Sequence, residues 1–114
     1  RSGHLASSNS LSVGPFSVDM NKRSVVVNGV ELDLNGKEYD LMLYFLQNPN
    51  TIITKNQIFD RLWGFDSDTA ISVVEVYMSN IRKKVNKVLD QKPLKTLRNV
   101  GYMFDTEVFD DQKS

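Results

Sequence analysis

Residues 69–88 carry two opposed stripes at helical spacing, and this constrains the chain more than any other feature. Ile71, Val74, Met78, Ile81, Val85 and Val88 recur at alternating intervals of three and four, the spacing of one face of an α-helix, and such an apolar stripe reads as buried core. The opposite stripe, Thr69, Val73, Val76, Asn80, Lys83 and Lys87, keeps the same intervals. It puts two valines and an amide where a soluble helix ordinarily meets water, and exposed apolar groups mark interfaces. A helix is therefore expected over about residues 68–88, capped by Asp66 or Asp68, with one face in the core and the other reserved for a partner.

The residues before this helix predict two kinds of element. From Leu11 to Leu34 apolar and polar residues alternate loosely between the turn signals Gly14-Pro15, Asn21-Lys22-Arg23 and Asn28-Gly29, which reads as an antiparallel meander of about four strands. Asn28-Gly29 is the clearest hairpin turn, because a two-residue loop with positive φ at both centres favours that dipeptide. Asn35 with Glu38, and Thr54 with Gln57, are capping boxes that start two helices. The first presents Leu41, Leu43, Tyr44, Phe45 and Leu46 as its apolar face and ends at Asn48-Pro49-Asn50; Ile52-Ile53 is an extended link, and the second helix runs to about Trp63 before Gly64. After the third helix, Leu94 to Asp105 alternates around Asn99-Val100-Gly101, a hairpin in which Gly101 is expected to take the left-handed conformation.

With 114 residues, 40% of them hydrophobic, the chain is sized for one domain with a single core, placed at 11–107. Residues 1–10, which include the single histidine, His4, read as a linker or expression remnant, and 108–114 as a tail. No apolar run approaches membrane-spanning length and no secretory leader is evident, so no membrane association and a cytoplasmic location are expected. The absence of cysteine removes disulfides and thiolate chemistry. With no core histidine, no glycine-rich phosphate loop and no nucleophile beside a base, no enzymatic activity, cofactor or metal is expected.

A formal net charge of zero conceals an uneven distribution. Between Ile71 and Phe104 lie Arg82, Lys83, Lys84, Lys87, Lys92, Lys95 and Arg98 against Glu75 and Asp90, a local excess of five positive charges balanced by five negative ones elsewhere. A helix fits the major groove of DNA, where thymine methyls offer apolar contact and base edges bond to amides and cations; Val73, Val76 and Asn80 suit that mixture. Lys83, Lys84 and Lys87, further along the helix, suit backbone phosphates. Arg98, near the hairpin tip, suits an adjacent minor groove.

Four segments carry a family resemblance: Asn35-Gly36-Lys37-Glu38-Tyr39-Asp40-Leu41-Met42, Leu62-Trp63-Gly64, the run from Val74-Glu75-Val76-Tyr77 to Ile81-Arg82-Lys83-Lys84-Val85, and Thr96-Leu97-Arg98-Asn99-Val100-Gly101-Tyr102. Together, over roughly Val13 to Thr106, they resemble the OmpR/PhoB-type response-regulator effector domain. The resemblance implies an α+β fold, a winged helix-turn-helix with an N-terminal four-stranded antiparallel sheet, three helices and a C-terminal β-hairpin wing. It implies sequence-specific binding of double-stranded promoter DNA for transcription regulation, as the output domain of a two-component system.

By matching position, Val73, Glu75, Val76 and Asn80 become the base-facing set, and Ser72, Tyr77, Ser79, Arg82 and Lys83 flank the DNA backbone. Arg98 is the wing residue of the minor groove, with Thr96 and Tyr102 near phosphates and Trp63 supporting a backbone contact. The resemblance further implies that loop 64–70, which is acidic, meets RNA polymerase, that a receiver domain belongs to the whole protein and is missing from this chain, and that the domain is a monomer alone and a head-to-tail dimer on DNA. Val73 stands in place of a frequent Thr, Ser79 and Asn80 in places often held by Arg, and Asn99 and Met103 in place of a usual Gly and a usual cation. Weaker phosphate attraction is therefore expected, with a base preference shifted toward adenine. The competing reading is a winged-helix module that binds protein, with Val73, Val76 and Tyr77 as its patch and the lysines as its rim.

Overall fold

In the computed structural model, which describes residues 9–64 and 68–110, the N-terminal segment is an antiparallel meander of β1 (Ser10–Val13), β2 (Phe16–Asp19), β3 (Ser24–Val27) and β4 (Val30–Glu31), paired in sequence order. Alternation sets its two faces: Phe16, Val18, Val25 and Val27 are buried while their neighbours point outward. Asn28 (φ 52°) and Gly29 (φ 84°) both take positive φ, and Val27 pairs with Val30 across them, as the dipeptide predicted. Ser10, placed in the linker by the sequence reading, pairs with Asp19.

Helix α1 (Gly36–Gln47) and helix α2 (Lys55–Leu62) begin with the two expected capping boxes, each reciprocated. The apolar face of α1 differs from the reading: Tyr39 and Met42 are buried along with Leu41, Phe45 and Leu46, whereas Leu43 and Tyr44 are only partly covered. Positions 38, 39, 42, 45 and 46 follow the helical repeat more closely than a run of consecutive apolar residues does. Gly64 takes φ 80° just after α2, as a helix stop requires.

Helix α3 spans Val73–Asn86, five residues shorter at its start than expected. Asp68 lies outside it and Asp66 lies outside the described residues; the N-cap is Ser72, whose side chain makes no capping bond. Thr69 and Ile71 therefore precede the helix, and Ile71 is 39% exposed rather than core. The middle of the apolar stripe is as expected: Val74, Met78, Ile81 and Val85 are buried.

The C-terminal hairpin pairs β5 (Leu94–Leu97) with β6 (Gly101–Phe104). Its left-handed residue is Asn99 (φ 63°), not Gly101. Gly101 is demanded by proximity instead, since a Cβ there would lie 2.4 Å from the carbonyl oxygen of Ile53. The extended link expected at Ile52-Ile53 also makes a β-bridge, from Ile53 to Tyr102. A further helical turn, α4 (Glu107–Asp110), stands where a tail was expected. Its Phe109 ring centre lies 6.1 Å from those of Phe16 and Phe104, and Phe16 meets Phe104 edge to face at 5.1 Å, so the first sheet, the hairpin and α4 share one aromatic seam.

Candidate nucleic-acid interface

With Val74, Met78, Ile81 and Val85 turned to the core, helical geometry assigns the remaining residues of α3 to an outer face and two flanks. The outer face consists of Val76, Ser79, Asn80 and Lys83, with Ser72 at the N-cap and Lys87 at the C-cap. Val76 is 56% exposed; Ser72, Ser79, Lys83 and Lys87 are exposed and Asn80 is half-buried. Val73 is not on this open surface: it is half-buried and packs against the core. The apolar part of the face thus shrinks to one valine among polar and cationic groups. Fourteen residues give a rod of roughly 21 Å, long enough to cross a groove about 12 Å wide and extend to the backbone on either side.

One flank faces α1 and the end of α2. Tyr77 meets the edge of Trp63 at 5.2 Å, and Trp63 stacks on Phe59 at 5.7 Å. Lys37 lies 5.4 Å from the Trp63 ring centre while its ammonium donates to the carbonyl of Leu62, satisfying a terminal carbonyl of α2. On the same flank Lys84 bonds to Glu38 at 2.5 Å and to the carbonyl of Asp33 at 2.6 Å. Its ammonium is therefore not brought to the outer face with Lys83 and Lys87.

The other flank faces the hairpin. Arg82 donates to the carbonyl of Leu94 at 3.3 Å and to the hydroxyl of Thr96, and its guanidinium sits 5.8 Å from the centre of the Tyr102 ring. Glu75 pairs with Lys55 at 2.5 Å, a bond that raises the Lys55 ammonium above its ordinary value. Tyr102 is buried. Arg98, Asn99 and Val100 are exposed at the hairpin tip. Between the start of α2, α3 and the tip runs an open groove of about 550 Å³, lined by Lys55, Asn56, Glu75, Thr96, Arg98 and Asn99 among others.

The structure thus gathers Val76, Ser79, Asn80, Lys83 and Lys87 on one face with Ser72 at its end, and sets Glu75, Thr96 and Arg98 around the adjoining groove. Trp63, Tyr77, Arg82, Lys84 and Tyr102 are engaged within the domain, and Val73 is half-buried against the core. Sequence reasoning missed Lys55 and Asn56. The available signal was Thr54: once it caps α2, these two residues occupy the first turn of the helix preceding α3.

The sequence pattern of the family described as "Transcriptional regulatory protein, C terminal" matches residues 29–104, which include α1 to α3 and the hairpin. This chain is a member of that family, the OmpR/PhoB-type effector domains. The family is one of transcriptional regulators rather than of enzymes. Among curated relatives, the effector domain is 52% identical over 103 residues to the transcriptional regulatory protein CiaR of Streptococcus pneumoniae, an alignment that takes in 90% of this chain and 46% of CiaR. It is 33% identical over 93 residues to the response regulator ArlR of Staphylococcus haemolyticus, with 82% and 42% covered. The effector domain therefore spans about half the length of the curated relatives it matches.

Among solved structures, the DNA-binding domain of RstA from Klebsiella pneumoniae, determined in complex with the RstA box, superposes on the effector domain with a TM-score of 0.74 at 26% identity, covering 85% of this chain and 97% of that one. The response regulator DrrB, a Thermotoga maritima OmpR/PhoB homolog, shares the fold with a TM-score of 0.74 at 23% identity, over 90% of this chain and 48% of DrrB. No helix among the described residues of the effector domain is long and apolar enough to cross a membrane.

Proposed function

We propose that this effector domain binds double-stranded promoter DNA in a sequence-specific manner, with α3 in the major groove and the hairpin as a wing reaching the minor groove, as the output half of a two-component response regulator. The observation that carries this reading is the outer face of α3, where one exposed valine and one amide are followed by two cations, next to a wing tipped by Arg98. The base-reading set is Val76 and Asn80, with Glu75 at its edge and Ser72 and Ser79 beside it; Lys83 and Lys87 contact phosphates. Asn pairs bidentately with adenine and Val packs on a thymine methyl, so the preferred half-site contains A·T pairs. The solved complex of the similar RstA domain with its own box supports this class of ligand.

In this reading the domain works in the cytoplasm, is monomeric alone, and pairs head-to-tail on tandem half-sites about one helical turn apart. The acidic segment 64–70 meets RNA polymerase; its residues 65–67 lie outside the described residues. The rival protein-docking reading needs a wider apolar patch than the outer face offers once Val73 packs inward and Tyr77 is taken by Trp63.

Selection of bound duplexes from a random pool at physiological salt, followed by sequencing, tests the proposal. An A·T-containing half-site repeated at a spacing near one helical turn is expected. Failure to enrich any sequence, with no measurable duplex affinity, contradicts it.

A further inference from the structure

Lys84 belongs to a cationic run by sequence but not by direction. Its ammonium lies 2.5 Å from Oε1 of Glu38 and 2.6 Å from the carbonyl oxygen of Asp33. The Glu38 side chain is 4% exposed, the deepest carboxylate among the described residues. Its Oε1 also accepts the backbone N–H of Asn35 at 3.1 Å, while the Glu38 N–H donates to the Asn35 side chain at 2.9 Å. A single carboxylate therefore closes the capping box of α1 and anchors the C-terminal half of α3. A carboxylate so far from water is strongly disfavoured without a cationic partner, which makes the tether stiff.

Resting on the DNA-binding reading above, we infer that Lys84 is a positioning residue of the reading face: through Glu38 it fixes the roll of α3 on α1, and so the directions in which Asn80, Lys83 and Lys87 point, and it makes no phosphate contact. Asn80 lies one turn before Lys84 on the same helix, and Lys87, three residues after it, is the C-cap of that helix. Any rolling or fraying of α3 at Lys84 moves both. On the opposite flank Arg82 holds the wing through Leu94 and Thr96, so the helix is gripped from two sides with the outer face left open between them. Loss of one grip releases the orientation of the face without removing any group from it.

The test compares wild type, Lys84→Met, Lys84→Arg and Glu38→Gln at temperatures where circular dichroism shows each to be folded, measuring affinity for the selected duplex and for a scrambled duplex across a salt series. For Lys84→Met the expected result is a loss of at least about tenfold on the selected duplex with little change on the scrambled one, and an unaltered salt slope. Lys84→Arg restores most of the discrimination, and Glu38→Gln lowers it in the same sense as Lys84→Met. Equal losses on both duplexes with a salt slope reduced by about one mark Lys84 as a phosphate contact and overturn the inference. So does tighter binding by Glu38→Gln, which would mean that a freed Lys84 reaches DNA, or a variant less stable but unchanged in discrimination, which marks a purely structural pair. If Lys84→Met does not fold, Glu38→Gln decides alone by the same criterion. A wild type that fails to distinguish the duplexes contradicts the DNA-binding reading itself, a separate outcome.

Discussion

Ile53 and Tyr102 exchange two backbone hydrogen bonds, Ile53 N–H to Tyr102 O at 2.8 Å and Tyr102 N–H to Ile53 O at 2.9 Å. Residues 49 positions apart are joined, and the link entering α2 is pinned to the wing by a single β-bridge. The approach is so close that only hydrogen fits at the α-carbon of Gly101. Gly101→Ala is expected to destabilise the domain by about 2–3 kcal/mol in denaturant unfolding and to weaken duplex binding by letting the wing swing away from α3.

The outer face and the flanks of α3 should respond differently to substitution. Asn80→Ala is expected to cost about 1–3 kcal/mol at its cognate base pair and little elsewhere. Lys83→Ala and Lys87→Ala should weaken binding to all duplexes alike, each reducing the salt slope by about one. Fluorescence anisotropy on single-substituted duplexes across a salt series checks both.

Phe109 should matter to stability although it follows the last strand. Its ring is half-buried against Phe16 and Phe104, and an added Cβ on Gly14 would meet it at 2.6 Å. Phe109→Ala is expected to cost roughly 1–2 kcal/mol, below the ~3–5 kcal/mol typical of fully buried rings, with no change in the salt slope of DNA binding. Urea titration and the binding assay together measure this.

Alkaline pH should weaken the fold. Burial pushes the phenol of Tyr39 above its ordinary 10.0, with the nearby Arg23 guanidinium opposing the rise, and the hydrogen bond to Glu75 raises Lys55 above 10.5. In both cases the folded chain holds its proton more tightly than the unfolded chain, so the stability these groups contribute is present below about pH 10 and is lost as pH rises through the folded values. Thermal unfolding of Tyr39→Phe should show a shallower decline of Tm than wild type between about pH 9 and 11.

Much of this architecture was legible because its signals are local. Asn28-Gly29 dictates its turn within two residues, and Asn35 with Glu38 and Thr54 with Gln57 each close a cap within one helical turn. The start of α3 was misplaced because Ser72 offers no capping bond, while acidic residues upstream imitate one. The alternation around Asn99-Val100-Gly101 points to a left-handed Gly101, but Asn99 takes that conformation and the need for glycine comes from Ile53, far away in sequence. The interface divided in the same way. Val76, Asn80, Lys83 and Lys87 of the outer stripe follow from helical spacing, whereas Thr69 precedes the helix and Val73 packs against the core; the inward commitment of Lys84 depends on Glu38, 46 residues earlier, and that of Arg82 on Thr96 in the hairpin. A cation reads alike in sequence whether it points to water or to a buried carboxylate.

The central claim, that the outer face of α3 and the wing tip meet DNA, is tested most directly by mapping amide chemical-shift changes as the selected duplex is titrated into the isotopically labelled domain. The account predicts the largest changes at Val76, Ser79, Asn80, Lys83 and Lys87 and at Arg98 and Asn99, with β1 to β4 scarcely affected. Changes concentrated on the β1 to β4 sheet, or their absence from α3, would contradict it.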